Sequence, residues 1–192
     1  LVGETGRRFG NEDLGYSGFA AHVLGQGEFA WAIYDARIHG IAEAEEEYAE
    51  MATMGAVSWA ESPAALAAKV GLDADGLTET IAAYNSAALN DGTDEFGRTA
   101  FALAPLQPPF AAVRVKPGLF HTQGGVLVDN EARVRRSTGG TVPNLFAGGG
   151  AAAGISGRDG ALGYASGNGL ITALVLGRRA GLTAMKEIAA EP

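Results

Sequence analysis

Glycine sets the terms for this chain. It supplies 29 of the 192 residues, and its densest run, Gly148-Gly149-Gly150-Ala151-Ala152-Ala153-Gly154, follows a predicted strand at residues 144–147. A residue without a Cβ is needed where backbone comes very close to another group or turns through positive φ. Three in a row therefore predict a close approach, by a ligand or by a packed neighbour. The run superficially matches a spaced-glycine dinucleotide turn. That turn, however, opens a helix at once and is followed about 20 residues on by an acidic residue at the end of a second strand. Here the next stretch is another loop, Gly157-Arg158-Asp159-Gly160-Ala161-Leu162-Gly163. A self-contained Rossmann unit is not expected.

The segment Tyr164-Ala165-Ser166-Gly167-Asn168-Gly169-Leu170 feeds a long final helix expected from about Asn168 to Ile188, with Arg178, Arg179 and Lys186 toward its C-terminal half as the helix dipole favours. Backbone N–H groups at a helix N-terminus, laid open by glycines, suit partial negative charge such as a phosphate or the pyrimidine edge of a reduced flavin. A Ser-capped helix start packed tightly on a sheet would use the same residues.

Upstream, Phe29 to Tyr34 is a predicted strand closed by Asp35, and Glu43 to Met54 a predicted surface helix with Tyr48, Met51 and Met54 on one stripe. Ser62-Pro63 starts a helix that Gly71 stops. Asp73 or Asp75 caps a second one, whose apolar stripe is Leu77, Ile81, Tyr84 and Leu89 and whose end is Asn90-Asp91-Gly92. The Pro105–Pro109 stretch breaks regular structure before a strand at Phe110–Val115. A hairpin-like turn around Asn130-Glu131 then joins residues 126–129 to 132–134, and residues 144–147 form a further strand expected to be buried.

Composition narrows the partners. The formal charge is −8, with Lys and Arg scattered rather than gathered, which argues against nucleic acid. There is no Cys, so disulfides and thiolate sites are excluded and a reducing, cytoplasmic setting is expected. No apolar run approaches a membrane span. The histidines lack partners at ligand spacing, so no metal is expected. Leu1 in place of an initiator Met suggests the C-terminal part of a longer chain.

Several segments occur in an order that resembles the fumarate reductase and ketosteroid dehydrogenase group of flavoproteins. They are Gly6-Arg-Arg-Phe-Gly-Asn-Glu12, Leu77-Thr-Glu-Thr-Ile-Ala-Ala-Tyr-Asn85, Asp94-Glu-Phe-Gly-Arg98, Pro108-Pro-Phe-Ala111, His121-Thr-Gln-Gly-Gly125, Val142-Pro-Asn-Leu-Phe-Ala-Gly148 and Gly167 to Gly181. The resemblance implies an α+β fold in which residues 1–120 belong to a capping, catalytic domain and residues 121–192 form the returning strand-loop-helix segment of an FAD-binding domain. It implies FAD as cofactor, a small-molecule substrate, and the rest of the FAD-binding domain as a partner carrying the first phosphate turn; homodimerisation is left open. Gly124 and Gly125 would approach the isoalloxazine and the loop with Gly149 and Gly150 would pass the ribityl chain. Gly167, Asn168, Gly169 and Leu170 would face the flavin O2 and N1 edge.

The departures from the family pattern shape the expected chemistry. Phe120 stands where fumarate reductases of this kind hold the dicarboxylate with a His, Tyr164 where they use an Arg, and Tyr16 where they use a proton-donating Arg. Losing that charge disfavours a dicarboxylate. Related ketosteroid dehydrogenases place tyrosines near two of these positions. Tyr16 would then be the base that removes a proton while hydride passes from the adjacent carbon to flavin N5, and Tyr164 the donor to the substrate carbonyl, with His121 beside flavin or substrate. A tyrosine, with a reference pKa of about 10, acts as a base only where neighbours lower it. Gly150 replaces a Glu that in many relatives bonds the ribityl hydroxyls. Two other readings stand beside this one. One is a fumarate-reductase-like enzyme for small carboxylates with Arg158 as the substitute cation, the other a flavin-free binding module. Asp94 and Arg98 are expected to brace a turn of the cap as a local ion pair.

Overall fold

The structure is a computed structural model that describes residues 1–90, 92–119, 122–156 and 163–190. Helices and strands are mixed, and the chain divides into two units, Leu1–Pro117 and Gly118–Pro192.

The first unit is built on a three-stranded antiparallel sheet of β1 (Ala30–Asp35), β2 (Ser58–Ala60) and β3 (Phe110–Val115), in the order β1-β3-β2. Trp31 lies opposite Arg114 and Asp35 opposite Phe110, while Trp59 lies opposite Ala111. Period-two alternation sends Phe110 and Ala112 to one face and Ala111 and Val113 to the other, so the sheet is buried on both sides. One face meets Leu66, Ala67, Leu77 and Ile81, from α4 (Pro63–Val70) and α5 (Ala74–Leu89). The other meets Ile38, Tyr48 and Met51, from α2 (Ala36–Ala42) and α3 (Glu46–Thr53). A smaller cluster joins Phe19 and Val23 of α1 (Gly15–Leu24) to Ala30, Phe9 and Val115.

Local chemistry explains most of these elements. Ser62 accepts from the Ala65 N–H at 3.2 Å with Pro63 in the first turn, and Gly71 takes the left-handed conformation at φ +78°. Asp73, rather than Asp75, caps α5 through the Gly76 N–H at 2.6 Å. Its apolar stripe ends short of Leu89, which is exposed. Asn90 closes the helix, while Asp91 lies outside the described residues. Asp35 is 1% exposed. It caps α2 through Arg37 and Ile38, accepts from the Gln107 N–H at 3.0 Å and pairs with the Arg37 guanidinium, which itself donates to the carbonyls of Leu103 and Pro105. Burial would raise the Asp35 carboxyl, but these donors outweigh it and hold it below its usual range.

The glycine-rich stretch after residue 12 is helical as α1. One expectation is corrected. The acidic helix is preceded by α2 and starts at Glu46 rather than Glu43, with Met54 exposed. Residues 1–12 contribute isolated bridges, Val2 to Arg8 and to Trp31.

In the second unit, β4 (Arg133–Arg135) pairs antiparallel with β5 (Thr141–Phe146), and α6 (Asn168–Ala190) follows a 3-10 turn at Gly149–Ala151. β5 is largely exposed, against the expectation of a buried strand. Arg133 ties β4 to α6 through Glu187 at 2.7 Å, and Thr183 donates to the Glu131 carbonyl at 3.2 Å. Along α6, Leu170, Leu174, Met185 and Ile188 stay exposed and Thr183 is the buried residue. No described helix is long and apolar enough to cross a membrane.

Candidate functional site

In the second unit the glycines separate into two kinds. A Cβ on Gly125 would collide with the backbone of Ala152, because residues 125–126 run alongside residues 151–153: Val126 N–H donates to Ala151 at 3.0 Å, and Ala153 N–H to Val126 at 2.9 Å. A Cβ on Gly148 would lie 3.0 Å from Leu176 and one on Gly149, at φ +57°, 3.3 Å from Ala173, where the loop closes on α6. These three glycines let the unit pack against itself. By contrast a Cβ on Gly124, Gly150, Gly167 or Gly169 would meet nothing within 4 Å, and Gly167 requires glycine for its φ of +96°.

Of these, Gly167 and Gly169 lie at the start of α6. Asn168 N–H donates to Ala165 at 3.1 Å and Ile171 N–H to Gly167 at 2.9 Å, while Asn168 Nδ2 donates to Ser156 Oγ at 3.1 Å. Gly169 and Leu170 supply first-turn N–H groups that a helix cannot satisfy from within. Leu170 is exposed and Tyr164 half-buried. These donors fit an electron-rich ring edge or a phosphate. His121, Phe120 and Arg158 lie outside the described residues.

In the first unit Tyr16 sits in the first turn of α1, 74% exposed, while Phe19 and Val23 on the same helix are buried. The unit also holds a cavity of about 300 Å³. Ile33, Leu77, Ile81 and Leu106 form its apolar wall, and Arg8, Glu12, Tyr84 and Arg98 its polar end. Arg8 pairs with Glu12 at 2.6 Å and with Asp94 at 2.5 Å, their side chains being 8% exposed for Arg8 and 6% for Asp94. Arg98 reaches Glu12 at 3.2 Å and Asp13 at 3.4 Å. The expected Asp94–Arg98 ion pair is therefore replaced. Asp94 takes the backbone N–H groups of Phe96 and Arg98, and its charge partner is Arg8.

Burial pushes the Glu12 carboxyl up, yet the Arg8 guanidinium overcomes this and holds it below its ordinary range. Burial likewise raises the Tyr84 hydroxyl, with Arg98 pulling the other way. Both arginines at the cavity are already paired. This cluster escaped the sequence reading because Arg8 and Asp94 are 86 residues apart; the one signal was that both fall inside segments quoted for the family.

The chain matches the family described as FAD binding domain over residues 1–165. It belongs to that family. Members of the family bind FAD. The NADH:fumarate oxidoreductase of Klebsiella pneumoniae (strain 342) is 31% identical over 97% of this chain, and the 4-oxocyclohex-2-ene-1-carboxylate 5-dehydrogenase of Sinomonas cyclohexanicum is 33% identical over 94%. The structure of 3-ketosteroid delta1-dehydrogenase from Sterolibacterium denitrificans, in complex with 1,4-androstadiene-3,17-dione, superposes with a TM-score of 0.73 at 26% identity over 95% of the chain. The chain spans 20%, 35% and 37% of these three proteins, respectively.

Proposed function

We propose that this chain is part of an FAD-dependent oxidoreductase that moves a hydride between flavin N5 and a carbon–carbon bond next to a carbonyl of an apolar, ketosteroid-like substrate. The observation that carries the reading is the start of α6, where the first-turn N–H groups of Gly169 and Leu170 stand among glycines with open space around them. FAD, when bound, supplies the two-electron acceptor. On the chain's side, Gly124, Gly125, Gly149, Gly150, Gly167, Asn168, Gly169 and Leu170 are proposed as the cofactor-facing set. Within it Gly125 and Gly149 act by folding the loops on which their open neighbours sit.

Residues 1–120 are proposed as the cap and residues 121–192 as the returning FAD segment. Tyr16 is assigned the removal of a proton from the substrate carbon, Tyr164 the donation of its O–H to the carbonyl, and His121 a place beside flavin or substrate.

A second reading, reduction of a small carboxylate, draws support from the fumarate oxidoreductase relative and from the dehydrogenase whose named substrate carries both a ketone and a carboxylate. The deciding experiment is dye reduction by the intact protein with ketosteroids and with succinate. Turnover of the steroid, falling about 10²-fold or more in Tyr16→Phe, is the expected result. Turnover of succinate alone, or a Tyr16→Phe variant as active as the parent, would sink the assignment.

A further inference from the structure

A second recess in the first unit is used by nothing described so far. It has a volume of about 460 Å³ and lies where β3 and the end of β2 meet the C-terminal turn of α4. Trp31, Met51, Val70 and Val113 form its apolar lining, and Lys69 and Arg114 bring two cations to it. Arg114 stands opposite Trp31 in the sheet register, with its guanidinium carbon 4.6 Å from the Phe29 ring centroid and 5.2 Å from that of Trp31. Stacking occupies the flat faces of a guanidinium and leaves its N–H edge donors available. Lys69 Nζ donates to the Trp59 carbonyl at 3.2 Å, which anchors the ammonium and leaves two of its three N–H groups.

No described carboxylate lies within ion-pairing distance of either residue, although the chain carries 22 acidic residues against 14 basic ones. Elsewhere in the same unit, Arg8, Arg37 and Arg98 are all matched to carboxylates. Two cations with no carboxylate partner among the described residues, on one recess with an aromatic wall, make a site whose complement is an anion with an apolar body.

We propose that the recess framed by Trp31, Met51, Lys69, Val70, Val113 and Arg114 binds a small organic carboxylate. The carboxylate lies between Lys69 and Arg114, and the apolar body crosses the edge of β3 beyond Ser58, meeting Trp31 and Val70 on the α4 side and Val113 and Met51 on the α3 side. None of these residues belongs to the set proposed for catalysis or for FAD, so the site stands or falls independently of that reading.

The test is a titration of the full chain with benzoate, followed by saturation-transfer NMR, with benzamide as the uncharged isostere and acetate as the charge without a body. Saturable benzoate binding, weakened about tenfold or more in Arg114→Gln and again in Lys69→Gln, is the expected result, with benzamide and acetate failing to compete. Lys69 is on the surface, so Lys69→Gln remains a usable test if Arg114→Gln disturbs the sheet, and a melting curve reports that disturbance. Absence of saturable benzoate binding would overturn the proposal. So would binding unchanged in Lys69→Gln, or acetate or inorganic phosphate competing as well as benzoate.

Discussion

At the scale of single residues, Glu12 is the most consequential carboxylate in the first unit. It accepts from Arg8 and Arg98 together, so Glu12→Gln removes the charge that both guanidinium groups share. Breaking such a half-buried cluster is expected to cost about 3 kcal/mol in denaturant titrations at pH 7. The pH dependence follows from the sign of the shift. The folded value lies below the ordinary 4.5, so the stabilisation is fully present above about pH 4.5 and is lost as pH falls through the lowered folded value. Acid titrations of wild type and Glu12→Gln should converge across that window. A difference that stays constant through it would contradict this account.

Gly150 offers a residue test of the cofactor reading. A side chain there meets open space, so Gly150→Glu should leave the melting temperature unchanged and, by giving the ribityl hydroxyls an acceptor, tighten FAD by roughly tenfold in flavin titrations. The glycine run predicted close approach by a ligand or by a neighbour, and the structure shows a neighbour at two of its positions. Gly148 and Gly149 meet α6 while Gly150 does not, a distinction that depends on where residues 173–177 lie and so is invisible to local sequence.

At the scale of elements, the helix with the clearest written start is α4. Ser62→Ala removes the side-chain acceptor for the Ala65 N–H and should cost about 1 kcal/mol in thermal or chemical unfolding; a neutral effect would mean the cap is solvated rather than stabilising. The strands β1 and β3 and the helices α4, α5 and α6 were legible because alternation, caps and glycine stops all act within a few residues. The missed helices were masked in two different ways. α1 opens on Gly15 at φ +76° with no side-chain cap, and α2 begins at the residue after Asp35, whose carboxylate both ends β1 and caps the helix. β2 has three residues, too few to show a period. β5 carries the apolar pattern of a buried strand yet is exposed, because burial needs a second surface that the sequence of one strand does not contain.

At the scale of the whole molecule, the two units differ in how they bury apolar side chains. The first has clusters on both faces of its sheet, whereas the second leaves Leu127, Leu145, Leu170, Leu174 and Met185 exposed. A surface of that kind marks an interface, and the proposed occupant is the remainder of the FAD-binding domain. Leu174→Glu should then change the stability of the 192-residue chain by no more than about 0.5 kcal/mol. In the intact flavoprotein it should cost about 2 kcal/mol or more, read as a lower melting temperature and faster flavin loss. Equal effects in both would argue that α6 faces solvent throughout.

The strand order β1-β3-β2 bears on how the protein is born. Synthesis delivers β1 and β2 first, yet neither pairs with the other, and each has its ladder only with β3. The middle of the sheet is the last of the three strands to leave the ribosome. Until Val115 has emerged, β1 has only its bridge to Val2 and β2 has no described ladder, which is when such a chain is most exposed to mispairing and most in need of chaperones.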